Sequence, residues 1–348
     1  MPEISKKKVF YPINIAFREY LESYDREIKL PLSYEDLRYY DNTIPLYDEK
    51  GIDTLWETVF YPQHLMSRIH SGLKRIYSIL KAGGDNTAEE HLYVERVDYC
   101  TFGNSHPFRI RIVNTYNDVY DYFYIKIADA SRIYGLELEH ILSPYWLNFV
   151  VAENTLIEEH IAGVPGDKFI ESWMDSPDFN PKRIAKEFVK FNERCFVRLL
   201  GDMRSYNFVI DITPDFDDVQ FRIRGIDFDQ QFYEGKKNLY MPQFFKENIA
   251  FVNLVIKYLN ADVVRQYQQE ERALIARRIK AHRHRVTDLR DVIMTDTVSS
   301  PEKISQLGHE LARHYDDIIF SRAETMGEII ERSLKRLLVN SLAKKRYI

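Results

Sequence analysis

The apolar residues of this chain change their spacing near Leu92 and again near Gly163, and those two changes limit what it can fold into. Leu65, Ile69, Leu73, Ile76 and Leu80 recur at helical intervals, and Gly83-Gly84-Asp85 ends the run. From about Leu92 the period shortens. Tyr93–Cys100, Phe108–Asn114 and Val119–Ala128 are rich in β-branched and aromatic residues at alternating positions, as strands are. Asn104-Ser105-His106-Pro107 and Asn114-Thr115-Tyr116-Asn117-Asp118 supply turns. A short helix fits Ser131–Leu142, and strands fit Trp146–Ala152 and Thr155–Ile161, joined at Glu153-Asn154. The order predicts an antiparallel sheet with one helix against it.

After Gly163-Val164-Pro165-Gly166 the pattern becomes helical. Ile184, Phe188, Phe191 and Val197 place a helix over Pro181–Leu200. Phe208–Ile212 and Val219–Ile226 predict a small hairpin around Thr213-Pro214-Asp215. Helices are expected at about 243–260, 262–285 and 302–343, with Thr295–Pro301 as the clearest linker. Residues 1–90 read as irregular and then helical, and there is no internal repeat.

A chain of 348 residues can bury a large core and form two lobes. A net charge of −5 argues against a general nucleic-acid binder. Cys100 and Cys195 give no disulfide framework, which fits a reducing cytosol. Met1 to Lys8 is polar and basic, no apolar signal-peptide stretch follows, and no run is long enough to span a bilayer. A cytoplasmic protein without a membrane or nucleic-acid partner is therefore expected.

The residues that carry chemistry lie in Leu200-Gly201-Asp202-Met203-Arg204-Ser205-Tyr206-Asn207 and Ile226-Asp227-Phe228-Asp229. An aspartate stands five residues before an asparagine, and another aspartate follows the next apolar run. Phosphoryl transfer needs one carboxylate for the nucleophile's proton, and an amide oxygen with a second carboxylate to hold Mg²⁺ on the nucleotide phosphates. Taken alone, Asp202 and Asn207 are more readily read as turn-capping residues.

These motifs, in this order, resemble the protein-kinase-like fold, closest to the aminoglycoside and choline phosphotransferase branch, over roughly residues 92–260. That branch's H-G-D-x-x-x-x-N loop is matched by Leu200-Gly201-Asp202 through Asn207, with leucine in place of the histidine. Asp227-Phe228-Asp229 stands where kinases carry D-F-G, and Ile157-Glu158-Glu159-His160-Ile161-Ala162-Gly163-Val164-Pro165 resembles the hinge. The resemblance implies a two-lobed α+β fold. Residues 1–91 would form a partly helical extension, 92–161 a nucleotide-binding N-lobe with an antiparallel sheet, and 162–348 a catalytic, mostly helical C-lobe. It makes Asp202 the base or the carboxylate that orients the nucleophile, and Arg204 the cation that steadies the transferred phosphate. Asn207 and Asp227 would be Mg²⁺ ligands, with Asp229 as an extra one. Adenine would meet the backbone around Glu159, His160 and Ile161. Gly103 is the only glycine between the first two strands, where a phosphate-covering loop would lie.

Tyr124-Ile125-Lys126-Ile127-Ala128 resembles the V-A-I-K strand, and Lys126 is the only basic residue in Val119–Ala128. It would neutralise ATP phosphates with an acidic partner on the next helix. Glu137 and Glu139 are the candidates, and Glu137 shares a face with Tyr134 and Ile141. Elsewhere, His282 and His284 read as a basic solvated helix end rather than metal ligands, and Cys195 reads as core. The Arg277 to Arg285 cluster suits an acidic substrate or partner, and Glu247 and Glu270–Glu271 suit a cationic amine.

The function expected is transfer of phosphate from Mg·ATP to a hydroxyl of a small molecule. The alternatives are a nucleotide-binding pseudokinase, or a kinase-fold enzyme that transfers AMP or phosphate to a protein. In a third class, a structural α+β interaction protein, the motif is coincidental.

Overall fold

In the computed structural model, which describes residues 8–102, 105–176, 179–215 and 218–345, the alternating segments form one antiparallel sheet. The chain begins with α1 (Ile15–Ser23), β1 (Asn42–Tyr47), β2 (Asp53–Phe60) and α2 (Gln63–Ala82). β3 (Leu92–Cys100), β4 (Phe108–Asn114), β5 (Val119–Ile127) and α3 (Ala130–Leu142) follow, then β6 (Phe149–Ala152) and β7 (Thr155–Glu159). The seven strands lie in the order β1-β2-β3-β4-β5-β7-β6. Gly103, expected in a phosphate-covering loop, and Asn104 lie outside the described residues.

The chain divides into two compact units, Met1–Asp129 with Leu147–His160, and Ala130–Trp146 with Ile161–Ile348. In the first, alternation sends every second strand residue to one face. Ile110 opposes Val97 on β3 and Phe123 on β5, and all three are buried. Leu73, Ile76 and Leu80 of α2 belong to the same apolar cluster, with Leu32, Leu37, Val59 and Ile157. α2 ends at Gly83, whose φ of 60° is the left-handed stop expected of a glycine.

The segment expected as a partly helical N-terminal extension contributes β1, β2 and α2 to this unit: β2 pairs with β3, and Leu73, Ile76 and Leu80 of α2 join the apolar cluster. β1 and β2 escaped the sequence reading because Pro45, Thr54, Glu57 and half-exposed positions blur their alternation.

The second unit contains a three-stranded sheet of order β10-β9-β8, from β8 (Val164–Pro165), β9 (Phe208–Asp215) and β10 (Asp218–Gly225). Its helices, besides α3, are α4 (Gly166–Ser172), α5 (Pro181–Arg198), α6 (Ile249–Tyr258), α7 (Ala261–Ala281), α8 (Arg283–Ile293), α9 (Pro301–Tyr315) and α10 (Met326–Lys345). α5 starts as its sequence dictates. Asn180 caps the Arg183 amide and Pro181 fills a first-turn position that has no use for an N–H. Phe188 and Phe191 of α5 pack against Phe251 and Phe208.

Two helices expected to be continuous are broken. The 302–343 run stops at Asp316, whose φ is 51°, and Asp317 then caps a short 3-10 turn at Ile318–Arg322. The 262–285 run breaks at His282 and resumes as α8. Thr295–Pro301 is a packed connection rather than a loose linker. Val298 and Ser299 are buried, Tyr134 donates to Asp296 at 2.8 Å, and Ser299 donates to the Tyr233 carbonyl at 2.8 Å. Among the described residues no helix is long and apolar enough to cross a membrane.

Candidate active site

The turn after α5 runs from Leu199 to Asn207. The helix ends at Leu199, in the left-handed region at φ 56°, and Asp202 adopts the same φ of 56°. A left-handed aspartate is costly unless its surroundings hold it. Here the Asp202 amide donates to the Leu239 carbonyl at 3.0 Å, and the Gly201 amide donates to Gln230 at 3.2 Å. A Cβ on Gly201 would meet the Gln230 carbonyl at 3.0 Å, so the close approach favours glycine.

The Asn207 amide nitrogen donates to the Asp202 carbonyl at 2.7 Å and closes the loop. An NH₂ facing a carbonyl fixes which end of the amide is which, so Asn207 turns its oxygen away from that bond. The Asn207 carbonyl in turn accepts from the Ile226 amide at 3.0 Å, which brings the Asp227 segment alongside. Asp202, Asn207 and Asp227 thus come together within one unit, from two chain segments that the sequence separates by β9 and β10.

Arg204 donates through Nε to the Asp202 carboxylate at 2.7 Å and through Nη1 to Glu247 at 2.9 Å. Glu247 precedes Asn248, which is fully buried and donates to the Met203 and Pro242 carbonyls at 2.9 and 2.7 Å. The segment at Lys246–Asn248 therefore clamps the Asp202 loop from behind. Burial pushes the Asp202 carboxyl above the ordinary aspartate range, Arg204 opposes this, and the charges of Asp227 and Glu247 add to it. Burial disfavours the Arg204 cation, but Asp202 outweighs it and raises the pKa. A carboxylate held in place, oriented by an arginine and more basic than usual, is suited to taking a proton.

Asp227 and Asp229 meet a cation that the sequence did not single out. Arg132, in the first turn of α3, donates through Nη2 to Asp227 Oδ1 at 2.8 Å and through Nε to Asp229 Oδ1 at 2.7 Å. Its side chain is only 3% exposed, against 35% for Asp227 and 14% for Asp229. α3 is seated closely here. Ser131 bonds the Gln231 carbonyl, and a Cβ on Gly135 would meet the Phe228 Cβ at 2.9 Å. An arginine in the first turn of α3 was the available signal.

The pairing expected for Lys126 takes another form. Its ammonium, buried on β5, lies 2.6 Å from the Glu158 carboxylate on β7. Lys126 opposes Leu156 across the ladder, and Glu158 is two residues further along on the same face. Glu137 is 0% exposed and clasped by Arg285 through Nε at 2.6 Å and Nη2 at 2.9 Å. Glu139 is buried against Arg198, which holds its carboxyl low despite burial. α3 is thus bound to the second unit, whose arginines meet both acids, and each member of the expected pair has a counter-ion within its own unit.

At the expected hinge the Glu159 amide donates to the Asn148 carbonyl at 3.1 Å and the His160 amide to Tyr122 at 3.3 Å, so neither is open to adenine. The Glu159 carboxylate bonds the Asn148 amide at 2.8 Å and Lys81 at 3.3 Å. Ile161 is buried and begins the second stretch of the other unit. Much of the basic cluster on α7 and α8 is internal as well. Arg278 donates to the Ile141 and His140 carbonyls at the end of α3, and Arg285 holds Glu137. The acids proposed for an amine are paired too, Glu247 with Arg204, Glu270 with Lys190 at 3.6 Å and Glu271 with Arg194 at 3.5 Å. Cys195 is buried and its thiol is pushed up to about 12, as a core residue's would be.

Among the described residues no group of three or more His, Cys, Asp or Glu could hold a metal by itself. The oxygen donors present are Asn207, Asp227 and Asp202. They suit Mg²⁺, which keeps waters and uses one or two carboxylates together with substrate phosphates. The fit therefore requires phosphate to complete the shell. No protein-family model matches this sequence, and no curated protein is significantly similar to it.

Proposed function

We propose that the chain is an ATP- and Mg²⁺-dependent phosphotransferase that acts on a hydroxyl of a small molecule. The observation that carries this reading is the loop closure at 2.7 Å between the Asn207 amide and the Asp202 carbonyl. It holds Asn207 and Asp202 in one loop, and the bond from the Ile226 amide to the Asn207 carbonyl brings the Asp227 segment alongside. Asp202 accepts the acceptor's hydroxyl proton, and Arg204 keeps that carboxylate in one orientation and presents positive charge to the group in transfer. Asn207 and Asp227 would hold Mg²⁺ on the phosphates, where the ion offsets charge as the bond to the leaving oxygen breaks. Lys126 takes its part as a phosphate cation from the resemblance to the V-A-I-K strand.

The test uses two variants. Asp227→Asn should lose Mg²⁺-dependent nucleotide binding, measured by calorimetry. Asp202→Ala should keep nucleotide affinity within a few-fold while turnover drops about 10²–10⁴-fold. ATP consumption unchanged in either variant defeats the assignment. The mass gained by the acceptor separates phosphate from AMP transfer, and an acceptor that proves to be a protein would move the reading to that alternative.

A second reading, nucleotide binding without transfer, is favoured by Arg132, which bonds an oxygen of each of the two aspartates. Thermal stabilisation by Mg·ATP with no product across a broad acceptor panel would select it.

A further inference from the structure

We infer that the second unit carries a binding pocket for a phosphate-sized oxyanion, apart from the Asp202 site. Between α5, α7, α9 and α10 lies a cavity of about 90 Å³, lined by Val197, Arg272, Tyr315, Ser333, Arg336 and Leu337. All six belong to one unit, and none is in the Asp202 loop or the Asp227 turn. A cavity needs roughly 10–15 Å³ to admit one water, so this one has room for several, or for a tetrahedral oxyanion. Val197 and Leu337 give it apolar walls, and no carboxylate is among the lining residues described.

Both arginines are held in place by contacts that leave donors over. Arg272 donates through Nε to the buried Glu193 at 2.6 Å. Arg336 donates through Nη1 to Asp317 at 3.2 Å, and its guanidinium carbon lies 4.4 Å from the centre of the Tyr315 ring. Among the described residues, the other guanidinium nitrogens of both side chains meet no hydrogen-bond acceptor. Asp317 is shared, because Arg332 bonds the same oxygen through Nε at 2.9 Å. One carboxylate thus faces two guanidinium groups, which leaves positive charge beside the cavity. His314 registers it: burial lowers its pKa, and Lys237, Arg272 and Arg336 lower it further. Ser333 spends its proton on the Val197 carbonyl at 3.1 Å. The Tyr315 hydroxyl is pushed up to about 12 by burial, so it stays a donor at neutral pH. A guanidinium fork matches two oxygens on one centre. Two forks and a hydroxyl, brought by three helices, suit an anion with three or more oxygens better than a carboxylate.

The experiment follows the melting temperature of the full chain in sodium phosphate and in sodium chloride at matched ionic strength and pH, and takes a Kd from the rise. Phosphate should stabilise the wild type where chloride does not. Arg336→Gln should weaken phosphate about tenfold or more, and Tyr315→Phe should weaken it several-fold with no change of charge. Arg265→Gln, exposed on α7, and Asp227→Asn should leave the affinity unchanged. Equal effects of phosphate and chloride overturn the inference, as does acetate that binds as well as phosphate. An affinity lost in Asp227→Asn but kept in Arg336→Gln puts the anion in the nucleotide site and overturns it too. Glycerol phosphate separates the sources. Stabilisation that depends on Arg336 supports a pocket for a phosphate monoester, and stabilisation by inorganic phosphate alone supports one for the free ion. Should Arg336→Gln fail to fold, Tyr315→Phe and the wild-type comparison of phosphate with chloride decide.

Discussion

Asp202 keeps its charge against its surroundings, and that has a measurable sign. Burial, Asp227 and Glu247 raise its pKa in the fold, and Arg204 offsets only part of this. Between the ordinary aspartate value and the raised one, the folded chain holds a proton that the unfolded chain has lost. Stability therefore falls as pH rises through that window, and the ionised Asp202 remains destabilising above it. Asp202→Asn keeps an oxygen for Arg204 and removes the charge. Its melting temperature should equal or exceed that of wild type at pH 7, with the difference vanishing below the ordinary carboxylate range. A lower melting temperature at pH 7 would mean that the Arg204 bond outweighs the burial cost. In turnover, the acid limb of the pH profile should lie above the ordinary aspartate range, because the base works only when ionised.

At the scale of one element, α3 shows how the same acidic residues serve a different end. Its sequence offers a glutamate on the face of Tyr134 and Ile141, the pattern of a partner for a strand lysine. The tertiary structure supplies arginines from α5, α7 and α8 instead. Arg278 meets the carbonyls at its C-terminus, where an isolated helix end leaves acceptors unmet. Glu137→Ala strands Arg285 in a mostly buried setting and should destabilise the chain by about 3 kcal/mol, read from denaturant unfolding. Below the melting transition its nucleotide affinity should stay within a few-fold of wild type. A loss of a hundredfold or more, in a folded variant, would restore Glu137 to the role of a lysine partner.

For the whole molecule, the division into units decides what can be removed. Deleting residues 1–91 takes away β1, β2 and α2, and with them Leu73, Ile76 and Leu80 of the shared cluster. The apolar face of β3, β4 and β5 would be left in water. Each large side chain uncovered costs roughly 1.5–3 kcal/mol, comparable in sum with the whole stability of a domain. The truncated chain should be insoluble, or bind a hydrophobic dye strongly and lack near-ultraviolet circular dichroism. A soluble, cooperatively unfolding 92–348 chain would show that the first 91 residues are dispensable after all.

Local pattern was enough to locate most elements. The 3.6-residue period of Leu65–Leu80 and the alternation at Phe108–Asn114 depend only on which face of one segment meets the core, so both were legible. The strands before Leu92 were not, because their alternation is broken by polar and half-exposed positions and their burial comes from neighbours far along the chain. Counter-ions were not legible either. Lys126, Glu137 and Arg132 sit close to one another in sequence, yet the chain returns to give them Glu158, Arg285 and the Asp227–Asp229 pair. A charge can be read from one residue, but the group that neutralises it is chosen by how distant segments pack. Residue type and period are therefore written locally, while ion pairing is settled only when the chain closes on itself.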